Sequence, residues 1–588
     1  MEEGIESILI ADCGTIYTKV ILVDVVGERY RFVARGEALS TAGPPWSDVT
    51  LGVRQAIAEI ERTTGRILFD NQKKQLIIPE RANGQGVDAF VASTSSAHPL
   101  RVVLAGLAQD LSIASARQAA LSSYSVVVDV LSLGDRADGA GSVDAKVERI
   151  YRHRPDVILL TGGTDGGATA PILDLAEIVA LACSLWQEAP PRVIFAGNKA
   201  VRSRVAEIMG ERANLQVVDN VRPAINLENL TGVQEEMERL YRELKMVEIP
   251  GLKELQDWSP VPILPTPQAF GYIVQYLASQ WEEDRGVIGL DIGGSATSVV
   301  AMVGGHFYTL IRSDLGMGNN IGDMLEQVEM QDLLRWLPFE MDEAEARNIL
   351  LNKKLHPMSV PQTREESLLE QAVAREILRL ALKGLHSRWP SGPARPHPNL
   401  LPFFEPIIGC GGVLARVPHH GQAALVLLDS LEPVGVSTLV LDPISLAASL
   451  GVLATIQPLA AVQVLEQDAF VNLGTVVAPV GTAQEGELAL RLKVTYQDGM
   501  SFEAEAAYGS LELIPLPAGR QATLEIETGR GFDIGPLGKG KGVLVNGGTL
   551  GIIIDARGRP LPLHAEPSER QRRVQEWLWD MGSDQTEE

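Results

Sequence analysis

Two short acidic turns, each set between two apolar runs, constrain the fold of this chain more than any other feature. The first is Asp12-Cys13-Gly14-Thr15-Ile16-Tyr17-Thr18-Lys19 and the second is Asp291-Ile292-Gly293-Gly294-Ser295-Ala296-Thr297. Residues 7–11 carry Ile8, Leu9 and Ile10 and predict a buried strand; residues 17–26, with Val20, Ile21, Leu22 and Val23, predict its return partner. Val287-Ile288-Gly289-Leu290 and Val299-Val300-Ala301-Met302 flank the second turn in the same way. One such hairpin is common. Two predict a single α/β design used twice, with the hairpin tips facing each other.

The residue types at these tips suit a polyphosphate and its metal. Gly14 lets backbone approach an anion and offers its N–H, Thr15 and Thr18 add hydroxyls, and Lys19 adds a point charge. Asp12, at the end of a buried strand, suits a hydrated magnesium ion, which takes one or two carboxylates and keeps several waters. Asp291, Gly293, Gly294 and Ser295 repeat that set. Further on, Pro406-Ile407-Ile408-Gly409-Cys410-Gly411-Gly412 runs a strand into a glycine cluster, where bare backbone can lie against a flat ring such as adenine. Pro265-Thr266-Pro267-Gln268-Ala269-Phe270-Gly271 and Leu446-Ala447-Ala448-Ser449-Leu450-Gly451 predict two helices whose small residues permit close contact.

Taken in chain order, these five segments resemble the phosphate 1, connect 1, phosphate 2, adenosine and connect 2 motifs of the actin, sugar kinase and Hsp70 superfamily. Within it the chain resembles the glutamate mutase L family, associated with adenosylcobalamin-dependent mutases. That resemblance rests on Ala92-Ser93-Thr94-Ser95-Ser96, Leu100-Arg101-Val102-Val103-Leu104-Ala105-Gly106-Leu107, Pro155-Asp156-Val157-Ile158-Leu159-Leu160-Thr161-Gly162-Gly163-Thr164-Asp165-Gly166-Gly167 and Ala196-Gly197-Asn198-Lys199, and covers roughly residues 1–465. It implies duplicated actin-like (ribonuclease H-like) ATPase lobes, ATP and Mg2+ as cofactors, and a mutase as partner. The implied activity is that of an ATP-dependent reactivating factor that helps the mutase exchange damaged cobalamin. Asp12 would then orient hydrated magnesium, and Asp291 the attacking water or the magnesium waters. Gly14, Thr15, Thr18, Lys19, Gly293, Gly294 and Ser295 would hold phosphates, and Gly409, Gly411 and Gly412 would back the adenosine. The family's second turn commonly reads DIGGATTDV, whereas Ser295-Ala296-Thr297-Ser298 here lacks one threonine hydroxyl and one carboxylate. Two other classes stay open: a small-molecule kinase of the same fold, and a nucleotide-gated scaffold without turnover.

With 588 residues the chain has length for three to four domains. The expected layout is a first lobe over 1–90, an inserted α/β domain over 91–255 that is the candidate partner surface, a second lobe over 256–465, and a C-terminal antiparallel β module with a terminal helix over 466–588. A helix is expected at 48–62 in the first lobe, and strands alternating with helices in the insert predict a parallel sheet. Gly162 to Gly167, ahead of a helix opened by Pro171, suits either an anion or an ordinary strand-to-helix turn; Asn198 and Lys199 are expected at the same edge. Gly316-Met317-Gly318-Asn319-Asn320 reads either as extra backbone donors for the nucleotide or as a helix-capping loop. The proline-rich residues 390–406 are expected to be an exposed connector.

Lys+Arg of 51 against Asp+Glu of 75 gives a net charge of −24, which argues against nucleic acid as a main partner. No apolar run reaches membrane-spanning length and the N-terminus has no basic leader region, so a cytoplasmic protein is expected. Cys13, Cys183 and Cys410 form no CxxC pair and read as small buried hydrophobes. The histidines show no metal-ligand spacing, and there is no GxSxG elbow. Gly529-Arg530-Gly531-Phe532-Asp533-Ile534-Gly535 and Gly538-Lys539-Gly540-Lys541-Gly542 lack Walker A spacing and are expected to be exposed basic turns.

Overall fold

The computed structural model describes residues 4–132, 142–281, 285–386, 388–390, 395, 397, 399–535 and 542–583. Its contacts fall into two compact units. The larger comprises the chain up to Ser96, Gly251–Tyr308 and the residues from Asp314 onward; the smaller is Ala97–Pro250 with Thr309–Ser313.

The larger unit contains the same sheet twice. In the first copy Ile8–Cys13 lies between its antiparallel hairpin partner Tyr17–Val26 and the parallel strand Ala89–Thr94; Arg29–Leu39 and Leu264–Pro265 complete the edges. In the second, Gly286–Ile292 lies between its hairpin partner Thr297–Val303 and the parallel strand Phe404–Cys410, with His306–Arg312 at one edge and Gly435–Leu441 following Phe404–Cys410 on the other side. This is the duplicated ribonuclease H-like α/β arrangement. Ile8, Leu9, Ile10, Val287, Ile288 and Leu290 are fully buried, as strands covered on both faces require. The helices Thr266–Ser279 and Leu446–Leu453 pack closely through small residues: a Cβ on Gly451 would stand 1.8 Å from the Ala269 carbonyl oxygen. The expected helix at 48–62 is Val49–Thr64, opened by the Asp48 carboxylate accepting from Thr50 N and closed by Gly65.

Three expectations need correction. The boundary at residue 90 falls inside the strand Ala89–Thr94, because parallel pairing with Ile8–Cys13 holds all of that strand in the first lobe. The C-terminal residues form the expected antiparallel sheet only in part: Val471–Ala478, Ile552–Asp555 and Leu511–Ile514 instead extend the second lobe's sheet, and one of those pairings is parallel. Four other strands, ending in Val543–Asn546, form an antiparallel sheet that packs on this extension through Leu490, Leu492, Leu524 and Val477. The proline-rich connector is in part core. Leu400, Leu401 and Phe403 are buried, with buried Trp389 just ahead of the segment, and Pro406 sits in a central strand within a bulge, where two residues between Phe404 and Ile407 oppose the single residue between Gly286 and Ile288, so its missing N–H costs no ladder bond.

The Gly529–Gly535 turn is tied down by paired bonds between Val480 and Asp533, with Phe532 and Ile534 buried and Arg530 exposed at the tip. The lysine-bearing residues of the next glycine run lie outside the described residues.

The smaller unit is a five-stranded parallel sheet. Its spatial order is Ser125–Ser132, Leu100–Gly106, Val157–Leu160, Arg192–Phe195, Asn214–Val217, a doubly wound arrangement that reverses beside Leu100–Gly106. Among the described residues no helix is long and apolar enough to cross a membrane.

Candidate functional site

Strand alternation decides which residues of the first turn share a face. In the hairpin Asp12 stands opposite Lys19 and Cys13 opposite Thr18, so Asp12 and Lys19 point one way and Thr18 the other. Asp12 and Lys19 line a cavity of about 690 Å³ together with Gly14, Thr15, Asp291, Gly293, Gly294, Gly411 and Gly412. Thr18 is buried beside Gly52 instead. Gly409 is also turned away, packed against Leu414 and Leu427. Ser295 sits at the tip, where its Oγ donates to Thr15 Oγ1 at 3.1 Å.

The two turns are closed by the same bond. Gly14 N donates to the Tyr17 carbonyl at 3.0 Å and Gly293 N to the Ala296 carbonyl at 2.9 Å. The Gly14 N–H expected for an anion is therefore spent within its own turn. The N–H groups of Thr15, Ile16, Gly294 and Ser295 have no protein acceptor among the described residues, and these supply donors at the tips. The tips also touch: a Cβ on Gly294 would stand 2.0 Å from Ile16 Cδ1, so a side chain there would have to displace the end of Ile16. The Gly316–Asn320 loop braces the second turn. Met317 N donates to Gly293 O at 3.0 Å, Gly318 N to Gly294 O at 2.8 Å, and the Asn319 and Asn320 amides to Ser295 Oγ and O.

Residues distant in sequence set the charges. Asp12 Oδ1 accepts from Ser93 Oγ at 2.9 Å and Thr266 Oγ1 at 2.8 Å, which fixes the carboxylate; its other oxygen has no protein donor among the described residues. Lys19 Nζ donates to Ser445 Oγ at 2.7 Å, and Asp442 caps the following helix by accepting from Leu446 N and Ala447 N. Burial pushes Asp291 up to about 6; the Asp12 and Asp442 charges add to the rise and the Lys19 ammonium opposes it. Burial likewise raises Asp442, against the pull of its two helix N–H bonds. Ser93 and Thr266 belong to runs that the sequence brings to notice, but their link to Asp12 follows only from the sheet pairing.

Gly411 backs the cavity at φ +106°, where a Cβ would stand 2.3 Å from the Ile292 carbonyl oxygen, so no side chain can stand there. A Cβ on Gly412 would meet nothing within 4 Å. Arg416 lines the cavity, 2.9 Å from Glu37 and with its guanidinium 4.6 Å from the centre of the Tyr17 ring. Burial raises the Cys13 and Cys410 thiols far above their ordinary value. In the smaller unit Asn198 holds the glycine loop, bonding Gly166 N and the Gly167 and Ala168 carbonyls, while Asp165 accepts from Lys199 N and Asn220 Nδ2.

The donor set fits magnesium on a polyphosphate: two carboxylates with free oxygens, a lysine and unpaired turn amides. Among the described residues no three His, Cys, Asp or Glu side chains gather as a metal cage, and a water-rich magnesium shell needs none.

A family model described as MutL protein matches residues 8–469. Protein MutL of Clostridium tetanomorphum is 26% identical over 446 residues, covering 71% of this chain and 88% of that one. Among solved structures, nucleotide-free acetone carboxylase matches at 12% identity and a TM-score of 0.33, covering 85% of this chain and 81% of that one. The activator of the 2-hydroxyisocaproyl-CoA dehydratase from Clostridium difficile, with bound ADPNP, matches at 10% identity and a TM-score of 0.28, covering 77% and 95%.

Proposed function

The chain belongs to the MutL protein family, and from that premise we propose that it is an ATP-dependent reactivating factor for an adenosylcobalamin-dependent mutase, promoting exchange of damaged cobalamin. The observation that carries the nucleotide part is the meeting of Asp12, Lys19, Asp291 and both turn tips in one cavity. Magnesium-bound ATP would supply the electrophilic phosphorus and a divalent charge. Asp12, held through Oδ1, would present its free oxygen to the metal's waters. Lys19 and the N–H groups of Thr15, Ile16, Gly294 and Ser295 would hold phosphate oxygens. Asp291, ionised at pH 7, would orient the attacking water, and catalysis would rest on this positioning.

The other two carboxylates lining the cavity, Glu37 and Glu370, are paired with Arg416 and Lys353. Among the described residues that leaves no unpaired lining carboxylate outside the two turns to serve as acceptor base for a small-molecule kinase, which favours hydrolysis. The Ile16–Gly294 and Ser295–Thr15 contacts join the lobes at the tips, so a ligand that binds the joined and parted forms unequally would shift between them. The smaller unit is the proposed client-facing part.

The test is magnesium-dependent ATP turnover by the purified protein, with and without candidate cobalamin mutases, beside Asp12→Ala. Turnover raised by one mutase and lost in the variant supports the reactivating factor. Stimulation by a small alcohol instead points to the kinase, and binding without turnover to the scaffold.

A further inference from the structure

The larger unit holds a second cavity, of about 530 Å³, that shares no lining residue with the one at the two turns. The helices Arg364–Lys383 and His420–Leu431 line the first cavity near their starts, through Ser367 and Gln422, and the second near their ends, through Lys383 and Leu431. Val328, Leu380, Leu400 and Leu401 give the second cavity apolar wall.

Its acidic groups are only partly met. Arg335 pairs with Asp332 at 2.9 Å and with Glu376 Oε1 at 2.7 Å, and Trp336 Nε1 donates to that same oxygen at 2.7 Å. Glu432 accepts from Arg379 on one oxygen at 3.2 Å and from Leu561 N on the other at 2.7 Å. Glu376 Oε2 accepts no bond among the described residues, and protein does not seal it in. The 6% of Glu376 that stays exposed therefore includes an unmet carboxylate oxygen on the cavity wall.

Two donors on the same wall are unmet as well. Lys383 Nζ has no partner among the described residues. His386 Nδ1 stands 3.4 Å from an Arg395 amino group, and because a guanidinium only donates, Nδ1 is the acceptor. Burial, helped by the Arg395 charge and opposed by Glu432, lowers the imidazole below its ordinary value, so at pH 7 it is neutral and its one proton sits on Nε2.

Charge and spacing narrow the ligand. Arg335, Arg379 and Lys383 balance Asp332, Glu376 and Glu432. A lone anion at Lys383 would leave Glu376 Oε2 unmet, and a lone cation at Glu376 would leave Lys383 unmet; a zwitterion serves both. Glu376 and Lys383 lie two turns apart on one helix, about 10.5 Å along its axis, with side chains leaning the same way. Two hydrogen bonds of about 2.9 Å then leave about 5 Å between them, the span of an ammonium and a carboxylate carried on one carbon or on two adjacent ones.

We propose that this cavity binds a small amino-acid zwitterion, its ammonium on Glu376 Oε2, its carboxylate on Lys383 and His386 Nε2–H, and its side chain against the leucines. The site is independent of the nucleotide reading, and either fails without the other. Calorimetric titration of the full chain with the common L-amino acids and β-alanine tests it, followed by the carboxamide and the deaminated acid of the tightest binder, on wild type, Lys383→Met, Glu376→Gln and Asp12→Ala. At least one amino acid is expected to bind. Lys383→Met should weaken it about tenfold without further weakening the carboxamide, and Glu376→Gln should weaken it about tenfold without further weakening the deaminated acid. Asp12→Ala should leave it unchanged. Lys383 is exposed, so its variant decides the matter even where Glu376→Gln fails to fold. No binding by any amino acid, wild-type affinity in Lys383→Met, or affinity lost in Asp12→Ala overturns the site.

Discussion

Two regions of the larger unit take acidic side chains out of water, one partly and one fully, and they treat them in opposite ways. At the cleft, Asp291 has no hydrogen-bond partner among the described residues, and burial pushes it up to about 6. Behind it, where the C-terminal residues meet the second lobe, Asp555 accepts from Arg557 and Arg559, Arg557 also reaches Asp429, and Arg375 completes the chain at 2.8 Å. The two arginines hold the Asp555 carboxyl far below the usual carboxylate range, and Arg557 lies over the Trp577 ring at 4.6 Å. A buried charge with every partner supplied is a joint. A half-buried carboxylate left short of partners is a candidate site for a ligand.

Breaking the joint should have the largest effect. Asp555→Ala strands two guanidinium groups in the core and is expected to lower unfolding free energy by about 3–5 kcal/mol, read from the urea midpoint; an unchanged midpoint would remove the contrast. Asp12→Ala should do the reverse, sparing the fold and cutting magnesium-dependent turnover about a hundredfold, on the order of 3 kcal/mol in the barrier.

The pH dependence should separate the two aspartates by sign. With its folded pKa raised to about 6, Asp291 binds more protons folded than unfolded, so its contribution makes stability fall as pH rises from about 4 to 6. Asp291→Asn should abolish that slope, worth on the order of 2 kcal/mol, in thermal melts across the window. Asp555, lowered in the folded state, stabilises above its unfolded value near about 4, and that stability drains only as pH falls further. The smallest effects belong to a pair of neighbours. Lys19→Met should weaken ATP about tenfold, whereas Thr18→Val should leave binding unchanged and alter stability by about 1 kcal/mol. Equal losses in both would contradict the strand facing.

What the sequence showed was local. Hairpin tips, their glycines and the apolar runs beside them are fixed within a dozen residues, and so were readable. Thr18 was misplaced because a hydroxyl two residues from a turn looks available until the ladder puts Lys19 opposite Asp12. Gly409 was misplaced for the same reason on a parallel strand, where only Gly411 and Gly412 reach the cavity. The supports of Asp12 come from Ser93 and Thr266, and no local pattern links such distant residues. The arginine joint was invisible for that reason, although Asp555-Ala556-Arg557-Gly558-Arg559 directly after the buried Ile552–Ile554 was a signal: charges that close to a core strand need partners.

The seam between Gly435–Leu441 and Val471–Ala478 also limits how the gene can be shortened. A chain cut where the family match ends would keep the first strand and lose its neighbour. Six of that strand's seven residues are buried in the intact protein. They would become a bare apolar edge with a free row of N–H and C=O groups, and such edges pair with one another between molecules. The trimmed lobes would therefore aggregate, unless the edge were blunted with lysine or the C-terminal strands were kept.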